Sequence, residues 1–319
     1  MSAVSETPQV SVVIPVRNEE EDVRELARRI GESLELPHEI IFVDDGSTDR
    51  TWQRLLELQQ PGRIRLIRFR RNFGKAAALM AGFEASRGEI VFTMDGDLQD
   101  DPSEMPRFLD KLNEGYELVS GWKKTRHDPL SKVIASRLFN FVVRKLSRLE
   151  LHDMNCGFKA YRGRLARELR IYGELHRFIP LVAAERGYRV GEIEVRHHPR
   201  RHGRSKYGFS RLFKGFFDLV TTVLTTRYGA RPGHGFGCAA LASFGLSAAF
   251  VVAYLLLPNY LFEVGDKFFP AWHALGLVAV FFALSGMTAL AAGWVAETVV
   301  AAGLRQSPER LYAVEERLD

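Results

Sequence analysis

The stretch Ile90-Val91-Phe92-Thr93-Met94-Asp95-Gly96-Asp97-Leu98-Gln99-Asp100-Asp101-Pro102 decides how the rest of the chain reads. Its first five residues are apolar, β-branched or aromatic. They predict a buried strand over 90–94 that stops at Asp95-Gly96-Asp97, before Asp101-Pro102 opens a helix. Two carboxylates then stand at the carboxyl end of a strand, the edge where open α/β sheets bind ligands. Hard oxygen donors flanking a glycine suit a divalent cation and the phosphate oxygens it shares. Asp101 reads as an N-cap, with Pro102 at the first helical position. For Asp95 and Asp97 alone a plain turn explains the residues as well, because an isolated Asp-x-Asp is a weak signal. An EF-hand fits poorly: counting from Asp95 puts Asp100 where the turn glycine belongs and Pro106 where the bidentate glutamate belongs.

Upstream of that stretch, apolar runs alternate with amphipathic ones. Strands are predicted over 9–16, 39–43 and 64–69, and another follows over 116–120. Asn18 can cap a helix whose first turn is Glu19, Glu20, Glu21 and Asp22 and whose end is Arg28-Arg29, the charge order a helix dipole favours. Further helices follow Asp49, Lys75 and Pro102. The alternation makes a mostly parallel α/β sheet flanked by helices the economical fold, with every polar motif on one edge. A dinucleotide fold of the glycine-fingerprint type is excluded, because the first strand runs into Pro15-Val16-Arg17-Asn18-Glu19, and no P-loop is present. Nucleotide recognition would then use side chains, with Asp44 and Asp45 accepting from base N–H groups and ribose hydroxyls.

The C-terminal third has a different character. The 319 residues carry a net charge of +5, yet residues 232–262 and 268–296 hold no Asp, Glu, Lys or Arg. Each run exceeds the roughly 20 residues a helix needs to cross a bilayer, so spans are expected at about 236–257 and 271–296. Arg227 and Arg231 precede the first span and Arg305 and Arg310 follow the second. The loop between them holds Lys267 against Glu263 and Asp266, so both termini are expected in the cytoplasm. The acidic first 30 residues have no apolar core of a cleaved signal peptide. Cys156 and Cys238 cannot form a disulfide framework, which suits a reducing compartment.

Between sheet and spans, Leu130, Ile134, Leu138, Val142 and Leu146 recur every four residues among Lys and Arg, and Phe213, Phe216, Phe217, Val220 and Leu224 lie beside Arg211 and Lys214. Basic amphipathic helices at about 130–148 and 208–228 read as lying in a membrane interface, or as surface helices on the sheet. Arg196 to Lys214 is basic and free of acid. It reads either as a lipid-charge anchor or, through Arg200-Arg201-His202-Gly203-Arg204-Ser205-Lys206, as a loop closing over a diphosphate. The organisation expected is an N-terminal tail (1–9), a catalytic domain (10–229), a membrane hairpin (230–304) and a C-terminal tail (305–319).

Several runs together resemble glycosyltransferase family 2, with its GT-A fold, and within it the polyprenyl-phosphate branch that includes dolichyl-phosphate mannose synthases and bacterial bactoprenol glucosyltransferases. They are Val13-Ile14-Pro15 with Asn18-Glu19, Val43 to Asp49, Arg71-Asn72-Phe73-Gly74-Lys75, Asp95 to Gln99, Asn155-Cys156-Gly157-Phe158-Lys159, and Arg200 with Ser205-Lys206. The resemblance implies that Pro15, Asn18, Glu19, Asp44, Asp45 and Lys75 serve the nucleotide, and that Asp95, Asp97 and Gln99 hold Mg²⁺ or Mn²⁺. It implies that Arg200, Ser205 and Lys206 close over the diphosphate, and that Lys123, Arg126, Ser136 and Arg137 take the acceptor phosphate. Asp153 either orients the sugar or nucleophile or serves only its turn. The implied reaction is inverting hexose transfer from a nucleotide sugar, UDP-glucose favoured and GDP-mannose the other candidate, to a polyprenyl phosphate at the cytoplasmic membrane. A homo-oligomer and no nucleic-acid partner are expected. The rival readings are a processive polysaccharide synthase, against which the absence of a Gln-x-x-Arg-Trp motif speaks, and a noncatalytic membrane scaffold with the same fold.

Overall fold

The computed structural model describes residues 7–124, 149, 151–199, 232–256 and 269–306. The chain forms two compact units, divided after Thr222. In the first, β1 (Val10–Val16), α1 (Val23–Ser33), β2 (His38–Asp44), α2 (Thr51–Leu58), β3 (Ile64–Arg68), α3 (Lys75–Ala85) and β4 (Ile90–Thr93) follow one another. Then come α4 (Met105–Asn113), β5 (Leu118–Trp122), β6 (Lys159–Arg162), α5 (Gly163–Glu168), α6 (Ile179–Glu185) and β7 (Val190–Glu194). The seven strands lie in the order β3-β2-β1-β4-β6-β5-β7.

β1 pairs in parallel with both β2 and β4, so that Val13 lies beside Ile41 on one side and Thr93 on the other. The sheet is mostly parallel, as the alternating pattern predicts. β6 departs from the pattern by running antiparallel to both β4 and β5. Neither β6 nor β7 is legible in the sequence reading, which treats His152 to Lys159 as a turn, whereas Lys159 opens β6. The chain builds β1, β2 and β3 outward to one side and then returns to lay β4 against the opposite flank of β1. The strand order therefore reverses between β1 and β4, and their carboxyl ends must part there.

Both faces of the sheet are covered, which is why its strands are apolar almost continuously. Val12, Ile14, Phe42 and Phe92 face α1 and α4, where Leu26, Ile30 and Phe108 complete a core, and Phe108 meets Phe158 with ring centroids 4.5 Å apart. Val13, Ile41, Val91 and Tyr161 face α3, α5 and α6. α3 approaches β1 so closely that a Cβ on Gly82 would lie 2.1 Å from Val13 Cγ1. Only glycine fits there, and the close contact fixes the height at which α3 begins.

The helix expected to start beside Asn18 begins at Val23 instead. Asn18 is not its cap. It sits at φ 57°, a left-handed conformation that Asn tolerates, and its Oδ1 accepts the Thr48 N–H at 2.9 Å. Asp101 does cap, accepting the Ser103 N–H at 3.0 Å.

In the second unit the two uncharged runs form α7 (Pro232–Leu256) and α8 (Phe269–Gln306). Residues 232–256 and 274–300 are long and apolar enough to cross a membrane. The helices pack antiparallel through small residues: a Cβ on Gly286 would lie 2.7 Å from the Phe244 ring, and one on Gly293 2.7 Å from Phe236 Cβ. Ser247 Oγ donates to the Ala279 carbonyl at 2.8 Å, and Phe250 stacks on Phe282. Leu241, Phe281, Leu284 and Trp294 face outward. The predicted interfacial helices (about 130–148 and 208–228), the inter-span loop and the tails lie wholly or largely outside the described residues.

At the amino edge of the sheet, opposite the polar motifs, Glu39 is fully buried. It accepts from Ser11 Oγ at 2.7 Å, from the Arg87 backbone N–H at 2.9 Å and from the Arg87 guanidinium at 2.8 and 3.0 Å, with Arg65 at 3.2 Å. Burial alone would raise its pKa, but the Arg87 and Ser11 donors hold the carboxyl below the usual range. Removing one member of such a buried network leaves the others uncompensated, so Glu39→Ala is expected to cost about 3 kcal/mol at pH 7. Because the folded pKa is depressed, the contribution of Glu39 is complete above the unfolded value of about 4.3 and is lost as pH falls through the folded value. Denaturant unfolding of the wild type and Glu39→Ala at pH 7 and pH 3 checks this: the gap between them should narrow in acid.

Candidate active site

The parting of β1 and β4 opens a crevice at their carboxyl ends, and Asp95-Gly96-Asp97 lies on its floor. The Met94 N–H still reaches the Val13 carbonyl, at 3.4 Å, before the strands separate. Gly96 crosses the end of β1 where a Cβ would fall 2.8 Å from Val16 Cγ1. Leu98 follows at φ 56°, a strained conformation for a branched residue. Asp97 is 5% exposed, and its Oδ1 accepts the Gln99 N–H at 3.3 Å.

Asp95 is gripped from two sides. The turn that carries Asn155 to Phe158 is fastened to β4 by Thr93 Oγ1, which donates to the Gly157 carbonyl at 2.9 Å. A Cβ on Gly157 would fall 2.7 Å from Asp95 Oδ2, so this glycine makes room for the carboxylate. From the other side the Lys75 ammonium pairs with Asp95 Oδ1. Burial pushes the Asp95 carboxyl up, but Lys75 and then Lys123 more than reverse this and hold it well below the carboxylate range. Burial likewise disfavours the Lys75 ammonium, and Asp95 raises its pKa above the ordinary lysine value.

Lys75 is presented by a loop that Asp45 builds. Asp45 Oδ1 accepts the Phe73 N–H at 2.7 Å and Oδ2 the Gly74 N–H at 3.0 Å; Gly74, at φ 94°, then turns the chain into α3. Asp44 is fully buried, its Oδ1 accepting the Ser47 N–H at 2.9 Å and its Oδ2 lying 3.5 Å from Arg68 Nε. In this structure the Asp44 carboxylate is directed at its own loop and that of Asp45 at the loop before α3. Pro15 lies beside Val43 in the sheet, and the Glu19 N–H donates to Thr51 Oγ1 at 2.8 Å. A cavity of about 700 Å³ opens nearby, lined by Arg17, Gly46 to Thr48 and Arg68 to Asn72.

Two further lysines lie deeper. Lys123, just past β5, pairs with the fully buried Asp100 at 2.7 Å. Lys159 donates to the Cys156 carbonyl, and burial pulls its pKa down to about 8. Burial also pushes the Cys156 thiol up to about 12 and pulls His176 down to about 3, so that its imidazole is neutral. Asp153 is buried at the start of the same turn, its N–H donating to Glu192 Oε1 at 2.8 Å. Sequence reasoning singled out neither His176 nor Arg17. His176 arrives from a distant 3₁₀ turn, and no local pattern announces it.

Gln99 is embraced by the strap that follows β7. Its carbonyl accepts the His198 N–H at 2.9 Å, its side-chain amide lies 3.4 Å from the His198 carbonyl, and His198 Nε2 lies 3.1 Å from Asp101 Oδ2. The structure thus brings Asp95, Asp97, Gln99, Lys75, Lys123 and Asp153 to one region. Arg126, Ser136, Arg137, Arg200, Ser205 and Lys206 lie outside the described residues. Among the described residues there is no cluster of three or more His, Cys, Asp or Glu arranged for a metal. The donor set fits a hard divalent cation all the same, since two carboxylates and an amide oxygen lie within one turn, provided Asp95 exchanges Lys75 for the ion.

Residues 11–170 match Glycosyl transferase family 2. Over 98% of its length the chain is 34% identical to a dodecaprenyl-phosphate galacturonate synthase of Rhizobium johnstonii, covering 93% of that protein. It is 38% identical to an undecaprenyl-phosphate 4-deoxy-4-formamido-L-arabinose transferase of Pseudomonas aeruginosa, with 90% of this chain and 84% of that one aligned. Among solved structures, glucosyl-3-phosphoglycerate synthase from Mycobacterium tuberculosis, in complex with Mn²⁺, UDP-glucose and glycerol 3-phosphate, superposes with a TM-score of 0.52. That superposition has 21% identity and covers 69% of this chain and 80% of that one, a likeness of fold. A crevice at the strand-order reversal, an Asp-x-Asp on its floor and these alignments agree: the chain belongs to glycosyl transferase family 2 and carries a GT-A-type fold.

Proposed function

We propose that the protein transfers a sugar from a nucleoside diphosphate to a polyprenyl phosphate at a membrane surface. The observation that carries this reading is the alignment along nearly the whole chain with two proteins named as dodecaprenyl- and undecaprenyl-phosphate sugar transferases, apolar C-terminal third included. The carboxylates at the mouth of β4 are where such a donor's diphosphate would be held.

The chemistry asks little of a general base. A lipid phosphate is already an anion at pH 7, so the protein has to align it with the anomeric carbon and stabilise the departing diphosphate. Attack from the face opposite the leaving group inverts that carbon. Asp95, Asp97 and Gln99 are the residues that would hold Mg²⁺ or Mn²⁺, which when bound supplies positive charge to the leaving diphosphate. Lys75 adds a further cation at the same place, and Lys123 lies behind it. Pro15, Asn18, Glu19, Asp44 and Asp45 frame the nucleotide end, the two aspartates largely by shaping the loops that hold it. Arg200, Ser205 and Lys206 are assigned to the diphosphate, and Arg126, Ser136, Arg137 and Lys123, the last from its pair with Asp100, to the acceptor phosphate. Asp153 acts by setting the turn that carries Gly157. The basic residues on either side of the spans, Arg227, Arg231, Arg305 and Arg310, support a cytoplasmic catalytic unit.

The donor is proposed to be a UDP-sugar. UDP-glucose heads the candidates, and the sugars in the relatives' names set the rest of the panel. Purified protein incubated with undecaprenyl phosphate, Mn²⁺ and labelled UDP-glucose, UDP-galacturonate, UDP-4-deoxy-4-formamido-L-arabinose or GDP-mannose should yield a lipid-extractable label with at least one donor. Asp97→Asn should lower kcat/KM by about 10³, the usual effect of removing a group that stabilises transition-state charge. No label across the panel, or full activity in Asp97→Asn, overturns the reading. Gly157→Ala pushes on the Asp95 carboxylate and should cost about 10² in kcat/KM through misplacement, while circular dichroism shows the fold retained.

A further inference from the structure

We infer that Lys75 is the site's own counter-cation: its ammonium occupies Asp95 until a divalent metal arrives with a nucleoside diphosphate, and it then passes from the carboxylate to the diphosphate. The identity of that ligand rests on the proposed function. The exchange itself rests on geometry.

Three lysines converge on this crevice, and they differ in what they can do. Lys123 is sealed against the fully buried Asp100, its side chain 13% exposed. Lys159, 2% exposed, is committed to the Cys156 carbonyl. Lys75 and Asp95, by contrast, form their pair in a half-buried position, with side chains 32% and 35% exposed. Of the three lysines Lys75 is the most open, so a ligand can reach it. The pair is nonetheless held in place from both ends: Gly157 backs the carboxylate, and Asp45 pins the loop before Lys75 at Phe73 and Gly74. Its partners are therefore fixed at their backbones, and the Lys75 ammonium meets Asp95 at the end of a long side chain. A lysine suits that task, since its ammonium is a compact charge on a flexible stem, where an arginine would grip the carboxylate with a planar fork.

The charges set the order of events. A dication at Asp95 without nucleotide would leave Lys75 unpaired beside it, two like charges a few ångströms apart. A diphosphate arriving with the metal absorbs both. Metal alone should therefore bind weakly, and metal and nucleotide should strengthen each other's binding by the same factor.

Electron paramagnetic resonance of free Mn²⁺ over the full-length protein in detergent, with and without UDP, tests this with no sugar transfer in the readout. In Lys75→Met the affinity for Mn²⁺ alone is expected to rise about tenfold, and the coupling between Mn²⁺ and UDP to fall by about the same factor, within the range usual for linked sites. Lys75→Arg, which keeps the charge, should bind Mn²⁺ alone as weakly as the wild type. Lys111→Met, which removes a surface lysine paired with Glu114, controls for net charge. If Lys75→Met binds Mn²⁺ no more tightly than the wild type, or no more tightly than Lys111→Met, the inference is overturned. A protein that shows the expected exchange yet labels no lipid would overturn the proposed function and leave this inference standing.

Discussion

The constraint on which the rest depends is the parting of β1 and β4. A sheet that builds outward from its first strand in one direction and then resumes on the other flank has two neighbouring crossovers leaving on opposite sides. Neither crossover covers the carboxyl ends between them. The backbone there would be left with unpaired groups in a cleft. The sequence answers with Gly96, which lets the chain pass over the end of β1, and with two aspartates that turn an unavoidable gap into a charged one. The opposite edge shows how differently the same residue types are used. Glu39 is enclosed by Ser11, Arg65 and Arg87, every donor a neighbour in the fold, and its role ends with stability.

Charge at the carboxyl edge is arranged in depth. Lys123 with Asp100 and Lys159 with the Cys156 carbonyl lie beneath the floor, where ionisable groups need partners to be tolerated at all. Burial weakens the Lys159 ammonium, whereas Asp100 strengthens that of Lys123. Burial pushes the Asp95 carboxyl up, and Lys75 and then Lys123 hold it well below the usual carboxylate range. The upper layer, Asp95 with Lys75, is thereby kept charged and hydrogen-bonded while still reachable from solvent. A buried layer thus sets the potential felt by a half-buried pair above it.

Much of this was legible in the residues because it is local. The strand at 90–94, the aspartates that end it and the Asp101 cap follow from composition and spacing within a dozen residues, and the two apolar helices from uncharged runs of about thirty. What escaped was set at a distance. β6 is four residues long, begins with a lysine and runs against its neighbours, so its pattern is that of a turn until Thr93 of β4 is seen beside Lys159. Asn18 precedes an acidic run and so resembles a cap. Its true partners, Ser47 and Thr48, lie about thirty residues on and pull it into a left-handed conformation instead. Asp44 and Asp45 were correctly placed at a strand end, but proximity in sequence could not tell that their oxygens would be used by Ser47, Phe73 and Gly74. The motif Arg71 to Lys75 matters less for what its side chains hold than for where Asp45 makes it stop.

A hydroxyl acceptor would need a group poised near neutrality to take its proton, and His176, the imidazole placed by burial beside Lys75 and Asp95, stays neutral only because it cannot easily gain one. A phosphate acceptor brings its charge with it. What it needs is a route past the aspartates, since an anion approaching Asp95 and Asp97 meets like charge unless cations intervene. On that view the lysines matter as much on the approach as at the reaction: Lys75 lowers the barrier for the donor's diphosphate, and the basic run from Arg196 onward lies next along the chain from the strap that embraces Gln99. On the proposed function, anionic substrates arrive where Lys75, Lys123 and Lys159 have already gathered positive charge.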